Sequence, residues 1–134
     1  MTPTPATTIR RGLVLLVEDD EDLRETLEIT LRSHGHQVET ASDGTEALAW
    51  LRSADPRPCL VLLDLMMPGM SGFELRSQMT ADPALASVPV VVITGAGVLA
   101  DQRSGELGAE ILRKPVGISV LIGTVNRYCL PAAG

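Results

Sequence analysis

The chain has no apolar run approaching the ~18 residues that a membrane-spanning helix needs. Its longest runs, over residues 13–17, 59–63 and 88–93, have the length of β-strands. It has no basic excess: 11 Lys and Arg stand against 17 Asp and Glu, a formal net charge of -6. Duplex DNA and anionic membranes are bound by cationic charge that displaces counterions, so this balance argues against direct nucleic-acid binding and against membrane insertion. Residues 1–9 carry neither the basic start nor the apolar stretch of a secretory signal. The 2 cysteines, Cys59 and Cys129, make no metal-ligand pattern and no disulfide framework. They are read as two buried thiols in a reducing cytosol. Lysine is almost absent: Lys114 is the only one beside ten arginines. Where arginine fills nearly every cationic position, a single lysine before a proline indicates a need for a compact point charge.

What is present suits one globular domain. The 134 residues are 45% hydrophobic and 21% charged, enough to build a core and unlike a disordered chain. Residues 1–11 lack an apolar period and are expected to form a disordered leader. Residues 12–130 form the domain, and residues 131–134 a short tail. Strands are expected over residues 13–17, 37–40, 59–63, 88–94 and 110–113. Helices are expected over residues 20–34, 43–51 and 71–80, weakly over 99–107, and from residue 118 onward. Leu23, Leu27 and Leu31 mark the first helix by their four-residue spacing. Asp20 or Asp22 can cap its start and Gly35 can end it. Asp55-Pro56-Arg57-Pro58 reads as a breaker after the second helix. Ile118, Leu121, Ile122 and Val125 give the last helix its apolar stripe. Five apolar strands alternating with five helices imply a parallel α/β sheet covered on both faces. The short, polar second strand suits an edge, which favours the order 2-1-3-4-5.

In such a sheet the ligand site lies at the carboxyl ends of the strands. The first strand is followed by Glu18, Asp19, Asp20, Glu21 and Asp22. The third ends in Asp64, the fourth in Thr94, and the fifth is followed by Lys114-Pro115. A carboxylate directly after five apolar residues is partly buried and needs a partner. Carboxylate oxygens with room for water describe a Mg2+ (or Mn2+) site. One carboxylate left free beside that cation can attack phosphorus, being already ionised at neutral pH. A lysine ammonium, a threonine hydroxyl and backbone N–H groups can hold the remaining phosphoryl oxygens. His34 and His36 fall at the end of the first helix and read as surface residues. Met66, Met67 and Met70 read as local packing, and Trp50 as cover for an edge of the core.

Several motifs carry a family resemblance. Leu15-Leu16-Val17-Glu18-Asp19-Asp20, Asp43-Gly44-Thr45-Glu46-Ala47-Leu48, Leu62-Leu63-Asp64-Leu65-Met66-Met67-Pro68-Gly69-Met70-Ser71-Gly72, Val92-Ile93-Thr94-Gly95 and Arg113-Lys114-Pro115 resemble the receiver domain of two-component response regulators. The resemblance covers residues 12–130 and implies a flavodoxin-like fold. It implies Asp64 as the phosphoacceptor, with Asp19 binding the metal directly and Glu18 through water. The Met66 backbone carbonyl becomes a further metal ligand. Thr94 and Lys114 contact the phosphoryl group, and a cis Lys114–Pro115 bond is allowed. The implied partners are a histidine kinase or phosphotransfer protein and a downstream protein, in the cytoplasm. Beyond residue 130 too few residues remain in the sequence for an output domain.

Two positions depart from the family pattern. Ile111 stands where the family usually carries an aromatic switch, and Gly95 where it usually carries alanine. The switch is then expected to run from Thr94 into the glycine-bearing segment 95–108, with Ile111 repacking. A haloacid-dehalogenase-type hydrolase would want a second carboxylate where Met66 stands, and its nucleophile after the first strand. A receiver that folds but is never phosphorylated is the remaining alternative.

Overall fold

A computed structural model describes residues 9–95 and 109–130. The order is β1 (Ile9–Val17), α1 (Glu21–Ser33), β2 (Gln37–Ala41), α2 (Gly44–Ser53), β3 (Arg57–Asp64), α3 (Gly72–Ala81), β4 (Val90–Thr94), β5 (Glu110–Arg113) and α4 (Ile118–Tyr128). The weak helix expected over residues 99–107, and the switch segment from residue 96 on, lie outside the described residues. Four helices are therefore seen among the described residues where five were expected.

All five strands are parallel, in the order β2-β1-β3-β4-β5. Alternate residues of the central strands feed two cores. One face sets Leu15, Val17, Val61, Leu63 and Val92 against Leu48 and Leu51 of α2 and Leu75 and Met79 of α3. The other sets Val14, Leu16, Leu62, Val91 and Ile93 against Leu27 and Leu31 of α1 and Leu121 and Val125 of α4. Burial on both faces is why these strands read as continuous apolar runs. Trp50 packs at the margin of the first core, as expected.

Four expectations need correction. β1 starts at Ile9, inside the segment read as a disordered leader. Its register against β3 shifts between Arg10 and Val14. Gly12, at φ 76, supplies the left-handed backbone that such an irregularity uses. Arg57 and Pro58 belong to β3 and are not a breaker. Pro58 lies at the start of that strand, where the loss of one N–H is tolerated. His36 is buried, and its Nε2 lies 2.8 Å from Asn126 Oδ1 of α4; His34 remains at the surface as the C-cap of α1.

The cysteines are the fourth correction. Cys59 and Cys129 are joined as a disulfide, with Cα atoms 5.5 Å apart. A separation of 70 residues says nothing about distance once a strand start and a helix end share one face of a sheet.

Candidate functional site

Four strand ends and the loop after β3 form a cleft of about 380 Å3, lined by Glu18, Asp19, Asp20, Asp64, Met66, Gly95 and Lys114. The acidic run after β1 divides its work. Asp20 is the N-cap of α1; its Oδ1 accepts from Leu23 N–H at 3.1 Å. Its own N–H donates to Glu18 Oε2 at 3.2 Å. Asp19 is exposed, whereas Glu18 is only 2% exposed. The Glu18 main chain is held from two sides. Its N–H donates to the Ala41 carbonyl at 3.1 Å, and its carbonyl accepts from the Arg24 guanidinium at 2.9 Å. The sequence reading did not single out Arg24. It bonds a backbone atom six positions away, and residue type carries no signal of that.

Asp64 ends β3 and is 5% exposed. Glu18, Asp19 and Asp64 each bring a carboxylate oxygen within 4.8 Å of the others. Lys114 Nζ stands 3.0 Å from Glu18 Oε1 and 3.6 Å from Asp64 Oδ2. Burial, then the charge and hydrogen bond of Glu18, push the Asp64 carboxyl up to about 7, against the pull of Lys114 and the Met66 N–H. For Lys114, burial works to lower the pKa, but the Glu18 hydrogen bond and the charges of Asp64 and Glu18 outweigh it and raise it. One cation thus faces two buried carboxylates, with a third carboxylate at the rim. That excess of negative charge, offered by oxygen atoms alone, fits a hard divalent cation.

The loop after Asp64 is fixed by close backbone contact. Met66 N–H donates to Asp64 Oδ1 at 3.3 Å, and Gly72 N–H to the Leu65 carbonyl at 2.9 Å. A Cβ on Gly72 would lie 2.5 Å from the Asp64 carbonyl oxygen. Only glycine lets α3 start that close to the strand end. Ser71 caps α3 with a complete capping box through Glu74. Met67 is buried and Met70 packs on the first core, but the Met66 side chain is 55% exposed and does not pack as expected.

Thr94 is fully buried at the end of β4, and its carbonyl accepts from Lys114 N–H at 3.0 Å. The Lys114–Pro115 bond is cis. Gly95 lines the cleft, and a Cβ there would meet Lys114 carbons at 3.9 Å, an ordinary contact. Ile111 is not in the cleft. It is half-buried on β5, packed against the core under α2 and α3.

Comparison with known proteins agrees with this geometry. The chain is 35% identical over 115 residues to the protein PilH of Pseudomonas aeruginosa, covering 84% of this chain and 93% of that one. Other curated relatives are longer, and the chain spans 50% or less of several of them. The structure of the chemotaxis protein CheY4 of Vibrio cholerae superposes with a TM-score of 0.78 at 31% identity, covering 89% of this chain and 99% of that one. The receiver domain of the sensor histidine kinase PA1611 of Pseudomonas aeruginosa, solved with a magnesium ion in its active-site cleft, gives 0.80 at 25% identity, covering 89% and 98%. The response regulator receiver domain model matches residues 14–126. That match runs from β1 into α4 and takes in every strand end that lines the cleft, so the chain belongs to the response regulator receiver domain family.

Proposed function

We propose that this receiver of two-component signalling accepts a phosphoryl group on Asp64 from a histidine kinase or phosphotransfer protein. It would work in the cytoplasm and pass the signal on through altered protein–protein binding, without contacting nucleic acid itself. The observation that carries the reading is the placement of Asp64. It lies buried at a strand end, 3.6 Å from the Lys114 ammonium and in one carboxylate cluster with Glu18 and Asp19.

An Asp64 oxygen attacks phosphorus, the P–N bond to the donor imidazole breaks, and the imidazole leaves with its electron pair. Lys114 Nζ moves its contact from the carboxylates to a phosphoryl oxygen. The Thr94 hydroxyl and the Met66 and Gly95 backbone N–H groups are the candidate donors for the others. Glu18, Asp19, Asp64 and the Met66 carbonyl would hold Mg2+ or Mn2+. When bound, the cation would offset charge on the carboxylates and on the incoming phosphoryl group, and would favour the ionised form of Asp64 that burial and Glu18 otherwise disfavour. No described helix is long and apolar enough to cross a membrane.

The test is incubation with a small-molecule phosphodonor and magnesium, followed by intact mass measurement. One added phosphoryl group is expected, lost on chelation and lost in Asp64→Asn. Labelling that persists in Asp64→Asn would remove the assignment. A parent protein that never labels would indicate a receiver used as an unphosphorylated scaffold.

A further inference from the structure

Cys59 and Cys129 join two parts of the fold that carry different duties. Cys59 lies near the start of β3, the strand that ends in Asp64, and Cys129 is the C-cap residue of α4. Both are buried on the α1–α4 side of the sheet, at 5% and 1% exposure.

α4 is held unevenly. Its N-terminal half borders an open apolar groove of about 440 Å3, shared with Leu23 and Leu27 of α1. Ile118 and Val120 there are 60% and 56% exposed, and the Gly117 N-cap offers no side-chain hydrogen bond. Leu121 is the buried core contact of that half; the polar anchors gather at the other end. Val125 is buried, Asn126 pairs with His36, and Arg127 Nη2 and Tyr128 Oη donate to Glu110 at 2.6 and 3.1 Å. The disulfide is the covalent member of this group. Without it, the last turn rests on one short apolar stripe and partly exposed polar pairs, which is the composition of a segment that opens locally.

We propose that Cys59–Cys129 is a reversible redox site that sets how firmly α4 is held on the sheet. Oxidation takes two protons and two electrons from the paired thiols as the S–S bond forms. The acceptor is a low-molecular-weight disulfide such as oxidised glutathione, which leaves as two thiols. Reduction runs the exchange backwards through a mixed disulfide. Both sulfurs are buried, so exchange follows local opening of the last turn of α4. The redox role rests on the cytoplasmic placement proposed above: in a reducing compartment, disulfides that do form are characteristically transient and redox-sensing. Five residue steps along β3, roughly 17 Å, separate Cys59 from Asp64. The redox state therefore acts on α4 and leaves the acceptor carboxylate alone.

The full chain, equilibrated in oxidised or in reduced glutathione and then alkylated, is expected to carry no adduct and two adducts respectively. Amide exchange in residues 118–129 is expected to run about tenfold faster in the reduced protein, with residues 60–64 little changed. Cys59→Ala/Cys129→Ala is expected to show the faster exchange in both buffers. If that variant does not fold, the two states of the parent protein decide the question alone. Two adducts after oxidation, or a bond that survives millimolar reduced glutathione, would overturn the site. Equal exchange in the two states, or acceleration spread evenly through β1 and β3, would overturn its action on α4. No phosphodonor is used, so none of these outcomes bears on Asp64 as acceptor.

Discussion

At the scale of single residues, the site is a set of carboxylates that the fold brings closer than they prefer. Asp64 shows it best. Its carboxyl is pushed from 3.8 up to about 7, first by burial and then by Glu18. A folded-state pKa above the unfolded value means that the native protein binds the extra proton. This contribution to stability is complete below about pH 4 and is lost as pH rises through 7. Asp64→Asn removes the charge and keeps an oxygen to accept from Met66 N–H. In chelator, that variant is expected to be more stable than the parent at pH 8, on the order of 1–2 kcal/mol, with the gap closing towards pH 4. Urea unfolding across that range measures it. A variant less stable than its parent at pH 8 would show that the carboxylate is well accommodated.

At the scale of elements, the strands and helices were legible where one physical signal dominated. The short apolar runs of β3 and β4, bounded by prolines and polar residues, pointed to buried strands, and Leu27 and Leu31 marked the inner face of α1. The misreadings share a cause: each depended on contacts between distant segments. Ile9 and Arg10 look like leader until β3 pairs with them. Pro58 looks like a breaker until its place at the start of a strand is known. His36 looks exposed until Asn126 of α4 lies against it, and the two cysteines look unrelated until α4 closes over the start of β3. The acidic run was legible as a site, but its internal division was not. Which carboxylate turns inward, which caps a helix and which stays at the rim follows from the path of the chain after β1. Asp20 is the cap, which makes a separable prediction. Asp20→Ala is expected to cost about 1 kcal/mol by freeing the Leu23 N–H, whereas Asp20→Asn keeps the acceptor and is expected to be nearly neutral. Equal losses in the two variants by denaturant unfolding would indicate that the charge of Asp20, and not its cap, supports α1.

At the scale of the whole molecule, the cleft is assembled from the ends of strands that lie far apart in sequence and side by side in the sheet. A cation held by Glu18 and Asp19 after β1 and by Asp64 at the end of β3 sees those ligands together only in the folded state. The unfolded chain scatters them, so binding must appear as stability of the entire domain. At a metal concentration tenfold above its dissociation constant the gain is about 1.4 kcal/mol. For a domain of this length that corresponds to a rise in Tm of about 4 °C. Asp19 is the proposed ligand to remove, because it is exposed and its loss leaves both cores and the Glu18–Lys114 pair untouched. Asp19→Asn is expected to fold normally and to lose most of the magnesium-dependent rise. Without metal it is expected to melt at or slightly above the parent, since one of three crowded carboxylates has gone. Thermal melts of both proteins, with chelator and with millimolar magnesium, test this. A parent curve that magnesium does not move would show that the three carboxylates hold no ion. An undiminished shift in Asp19→Asn would place the ion on other ligands.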